Sequence, residues 1–84
     1  MFAKVKSQVF IDTLTFEMMT PAVSSLKAIL KDDKGSICRT METDMAVSKG
    51  YVVMNDLSEL PYGVYSLELS HGGDEKTIRM VKRV

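Results

Sequence analysis

Apolar and polar residues alternate with a period of two along most of this chain, which is the pattern of strands with one face buried. In residues 4 to 11, Val5, Val9 and Ile11 fall on one side with Ser7, against Lys4, Lys6 and Gln8 on the other. Asp12 and Thr13 interrupt the run. Leu14, Phe16 and Met18 then face one way and Thr15 and Glu17 the other, until Thr20-Pro21 ends the segment, because proline cannot donate to a ladder. From residue 26 the pattern resumes with Leu26, Ala28 and Leu30 against Lys27 and Lys31, and Ile29 predicts partial cover on the polar side.

Asp32-Asp33-Lys34-Gly35 reads as a turn, since an aspartate bonds its own backbone and Gly35 accepts a positive φ, and Ile37 to Met41 reads as the returning strand of a hairpin. Two further extended segments, Met45-Ala46-Val47 and Tyr51 to Met54, are joined by Ser48-Lys49-Gly50. Residues 55 to 60 have room for one helical turn capped by Asp56 or Ser58. Pro61 and Gly63 then make a corner: proline fixes its own backbone and biases Leu60 toward extended geometry, while glycine permits dihedrals closed to other residues. A strand from Val64 to Ser70, a turn at His71-Gly72-Gly73-Asp74 and a last strand from Lys76 to Val84 complete the chain. The expectation is an all-β fold, an antiparallel immunoglobulin-like sandwich of about seven short strands in one domain, residues 1–84.

Composition narrows the chemistry. Hydrophobic residues are 45% and charged residues 26% of the 84, the range of a globular domain. Eleven basic residues balance eleven acidic ones, so no overall field steers nucleic acid toward the molecule. Cys38 is the single cysteine and reads as a small hydrophobe on a strand. The sole histidine, His71, reads as a solvated side chain on a glycine-flanked loop tip, and the Asp32-Asp33 pair lacks the ligand spacing of a calcium loop. The seven methionines are scattered over several strands and read as core filler. Glycine-rich phosphate loops, HExxH, GxSxG and triad patterns are all absent from the sequence, so neither a catalytic residue nor a cofactor is assigned.

One local feature departs from this balance. Lys76, Arg79, Lys82 and Arg83 place four positive charges in the closing segment KTIRMVKRV. Charges of this kind guard an edge strand against aggregation, and they also suit a strip that a partner protein reads through ladder bonds and charge. The order of features resembles the C-terminal sorting domain of the type IX secretion system of Gram-negative bacteria. The resemblance is carried by the turn Asp33-Lys34-Gly35 leading to Ile37, by the corner LxxLPxGVY at Leu57, Leu60, Pro61, Gly63, Val64 and Tyr65, and by the basic, apolar last strand.

The resemblance implies a non-catalytic signal domain cut from a longer secreted protein. Its partners would be an outer-membrane translocon or shuttle protein and a sortase-like protease, with passage through the periplasm to the outer membrane, the cell surface or the medium. Gly63, Val64 and Tyr65 would shape the recognised end, and Lys76, Lys82, Arg83 and Val84 would form the contacted strip. The alternative is a binding or spacer module of a surface adhesin, its terminal charges merely solubilising. An exposed last strand also allows weak homodimerisation through its edge.

Overall fold

A computed structural model describes residues 3–18, 26–43 and 50–83. Eight strands are present among them: β1 (Ala3–Val5), β2 (Val9–Phe10), β3 (Leu14–Met18), β4 (Leu26–Asp32), β5 (Ile37–Thr43), β6 (Gly50–Met54), β7 (Gly63–His71) and β8 (Asp74–Lys82). They form a three-stranded sheet in the order β1-β3-β6 and a five-stranded sheet in the order β2-β8-β7-β4-β5. Hairpins β4–β5 and β7–β8 lie in the larger sheet, and β3 and β6 pair across the chain in the smaller one. This is the Greek-key arrangement of an immunoglobulin-like sandwich.

The core lies where the alternating faces meet. Leu14, Phe16 and Met18 from β3 oppose Leu26, Ala28 and Leu30 from β4 and Tyr65, Leu67 and Leu69 from β7, all buried. Each set occupies every second position, as its sequence pattern requires. Ile29, on the opposite phase of β4, is half-buried. The segment Met45-Ala46-Val47, the stop at Thr20-Pro21 and Val84 fall outside the described residues.

The amino-terminal run departs from expectation. Val9 and Ile11 are exposed, at 44% and 53%, and Phe10 is buried. Residues 3–10 are not one strand: β1 pairs antiparallel with β3, and after Lys6 to Gln8 the chain crosses to the other sheet, where β2 pairs with β8. The crossing resets the alternation, so the buried position moves from the odd to the even residues. The β2–β8 pairing is parallel, the one departure from an otherwise antiparallel sandwich among the described strands. The Val81 N–H donates to the Gln8 carbonyl at 2.7 Å and the Arg83 N–H to the Phe10 carbonyl at 2.9 Å.

The turns follow their residues. Asp32 Oδ1 accepts the N–H groups of Lys34 at 2.9 Å and Ser36 at 2.8 Å, and Gly35 sits at φ 87°. Beyond this turn Leu30 faces Arg39 whereas Lys31 faces Ile37, so Cys38 is the extra residue of a β-bulge and packs half-buried against the core. Residues 55 to 60 form no helix. Asp56 takes a φ of 61°, the Leu57 N–H donates to the Asp12 carbonyl at 3.0 Å, and a single turn closes with Leu60 N–H to the Leu57 carbonyl at 3.1 Å. Leu57 is thereby driven fully into the core.

His71 is likewise not on a loop tip. The β7–β8 turn is only Gly72-Gly73, with a positive φ of 60° at Gly72, so His71 stays in strand, opposite Asp74 and Leu26, on the buried phase of β7.

The packing gives a direct expectation. Leu67→Ala should lower stability by about 2–5 kcal/mol, the range for truncating a buried leucine, and Thr40→Ala on the exposed phase of β5 should change it by less than about 0.5 kcal/mol. Urea denaturation of the two variants beside the parent chain measures both.

Candidate functional site

The residues singled out by sequence gather at one end of the larger sheet, where β7 begins and β8 ends. The corner that starts β7 is fixed by its own tyrosine. Tyr65 points inward as the first buried residue of β7, and its hydroxyl donates to the Pro61 carbonyl at 2.5 Å. The Phe10 ring meets it edge-on, with centroids 5.9 Å apart and planes at 65°. A tyrosine that bonds back to the backbone a few residues upstream is the tyrosine corner of immunoglobulin-like sandwiches. The tyrosine four residues after Pro61 was the sequence signal for that bond.

Burial pushes the Tyr65 phenol above its ordinary pKa. Cys38, Asp32 and Asp33 push the same way, while Arg39 opposes them.

Gly63 enters β7 at φ 151°, and a Cβ built there would meet no atom within 4 Å. Its requirement is therefore one of backbone conformation, not of space. Lys82 is the β8 partner of Gly63 and, on its other side, of Phe10 in β2. It shares the inward phase of Ile78 and Met80, is 5% exposed, and turns its ammonium to donate to the Arg83 carbonyl at 2.9 Å. The side chain thus covers core with its methylenes and keeps its charge at the sandwich end.

The four basic residues of the last strand do not form one strip. Alternation sends Lys76 and Lys82 to the inner phase of β8 and leaves Arg79 and Arg83 exposed on the other. Lys76, half-buried and paired with Leu69, lies six residues from Lys82, roughly 20 Å at the rise of an extended chain. Gly63, Val64, Lys82 and Arg83 do come together, lining with Tyr62 and Val81 an open groove of about 450 Å³.

The groove has an apolar floor that the sequence did not announce. Val64 and Val81, cross-strand neighbours on β7 and β8, line it, and Val9 on β2 continues their row beyond the groove. Val64 is 37% exposed, and Tyr62 stands at its end 74% exposed. A second depression of about 250 Å³ lies on the other side of the corner, between Pro61 and the Asp32–Lys34 turn. Its Asp32 Oδ1 is already engaged by two backbone N–H groups. Among the described residues, no three His, Cys, Asp or Glu side chains converge as metal ligands would.

No protein-family model matches the chain, and neither does any curated protein.

Two measurements follow. Gly63→Ala should cost about 1–3 kcal/mol through backbone strain alone, read as a shift in the urea midpoint. Tyr65→Phe removes one hydrogen bond and should cost about 0.5–1.5 kcal/mol near neutral pH. The native phenol holds its proton more tightly than that of the unfolded chain. Its contribution is therefore fully present below the unfolded pKa of about 10 and is lost as pH rises from there through the native pKa. The stability gap between parent and Tyr65→Phe should accordingly narrow across that alkaline window.

Proposed function

We propose that this domain is a non-catalytic sorting signal that carries its parent protein through a type IX secretion system to the cell surface. The reading rests on one observation above others: the LPxGVY corner is pinned by the Tyr65–Pro61 bond and sets the start of the β7–β8 hairpin, next to which Arg83 and the Val64–Val81 row are presented. A rigid corner beside an apolar groove with a cationic rim suits recognition by a translocon or shuttle protein, with the apolar floor giving affinity and the arginine giving selectivity. A sortase-like protease would act on the same exported protein. Arg79 and Arg83 are the cations that such a partner reaches; Lys82 supports the hairpin from inside, and Lys76 stands apart.

A second reading is favoured by the exposed Tyr62 beside the valine row: a sandwich module of a surface adhesin that holds a protein or carbohydrate ligand in the groove.

Fusing residues 1–84 behind a periplasmic reporter, in a host that has the machinery, separates the two. The sorting reading expects surface delivery of the reporter, reduced about tenfold or more by Arg83→Glu combined with Val64→Ser, with circular dichroism of the variant unchanged. Delivery that is independent of the domain, or insensitive to this pair, would overturn it.

A further inference from the structure

The geometry points to a second copy of this chain as a partner, joined edge to edge through β8 in a single register centred on Thr77. The inference stands independently of the sorting reading. On the side away from β7, β8 is paired only at Val81 and Lys82, by β2. Residues 74–80 have no strand beside them there among the described residues.

The direction of the free backbone groups follows from bonds already made. The N–H groups of Val81 and Arg83 point toward β2. Strand residues alternate in this respect, and β8 runs opposite β7 without a register shift. The N–H and C=O of Glu75, Thr77 and Arg79 therefore point out of the sheet at the open edge.

An antiparallel copy placed there about a two-fold axis at Thr77 brings each Thr77 opposite its counterpart as a hydrogen-bonded pair. It also sets Glu75 of each copy opposite Arg79 of the other. All three residues are exposed and on the same face, so each glutamate meets an arginine across the strands. Position 77 is also the midpoint of the open stretch 74–80, so each partner strand ends where the other's β2 begins. Neighbouring registers lack this match. An axis at Lys76 places the two Lys76 side chains against each other, and an axis at Ile78 sends Glu75 to Val81, whose N–H is already used by Gln8. The five-stranded sheet becomes continuous across the pair, with its open edge closed by a self-complementary one.

Sedimentation of residues 1–84 over a series from micromolar to millimolar concentration tests this. A monomer–dimer equilibrium is expected, weakened by added salt. Glu75→Arg should weaken it about tenfold or more by facing like charges, and Glu75→Arg with Arg79→Glu should restore it. In a Cys38→Ser background, Thr77→Cys should be joined into a covalent dimer by a short bismaleimide, which alkylates both thiols without oxidation, because facing Cα atoms of a hydrogen-bonded pair lie only roughly 5.5 Å apart. A monomer at every concentration overturns the inference, as does a dimer indifferent to Glu75→Arg or a Thr77→Cys chain that does not cross-link. Circular dichroism of each variant distinguishes loss of pairing from loss of fold.

Discussion

Strand β7 carries a double obligation: it is hydrogen-bonded on one flank to β4 and on the other to β8, each over most of its nine residues. Its inward positions, Tyr65, Leu67, Leu69 and His71, face the smaller sheet from the middle of the larger one. Once β7 is placed, the registers of β4 and β8 follow, because a slip of one residue would turn every buried side chain outward. The Tyr65–Pro61 bond defines where this strand begins and the two-glycine turn defines where it ends. Between those two points the remainder of the larger sheet has little freedom.

Much of this was written in the period of the sequence, and what was not has identifiable causes. Leu14-Phe16-Met18, Leu26-Ala28-Leu30 and Tyr65-Leu67-Leu69 could be read as buried faces because each lies within one uninterrupted strand. Phe10 could not, since the chain changes sheets just before it and a local pattern holds no record of that crossing. Leu57 lies in a connection with no periodicity and is buried by a long-range bond to the Asp12 carbonyl. His71 turned on whether the hairpin uses two residues or four, a difference that two adjacent glycines leave open to either.

The end of the sheet shows the same limits applied to function. A cluster of charges in sequence looks like a patch, yet on a strand it divides between two faces, and Lys82 spends its length on the core. The valine row joins the β7–β8 hairpin to β2, which lies far from it in the chain, each strand contributing one residue unremarkable by itself. The groove therefore has its cation legible and its floor hidden. Its shape depends on a glycine whose role is conformational and on a tyrosine whose role is to tie.

The crossing of the amino-terminal run also bears on how the domain carries load. β2 and β8 lie side by side and run in the same direction, one near each end of the chain. Tension applied between the two ends pulls such neighbours past one another, so the Gln8–Val81 and Phe10–Arg83 bonds are strained together and not in succession. Had β2 run the other way, the same pull would open its bonds one at a time from the end. A domain strung between other parts of a protein would thus resist stretching through this short parallel clasp once β1, which lies ahead of it in the line of pull, has parted from β3.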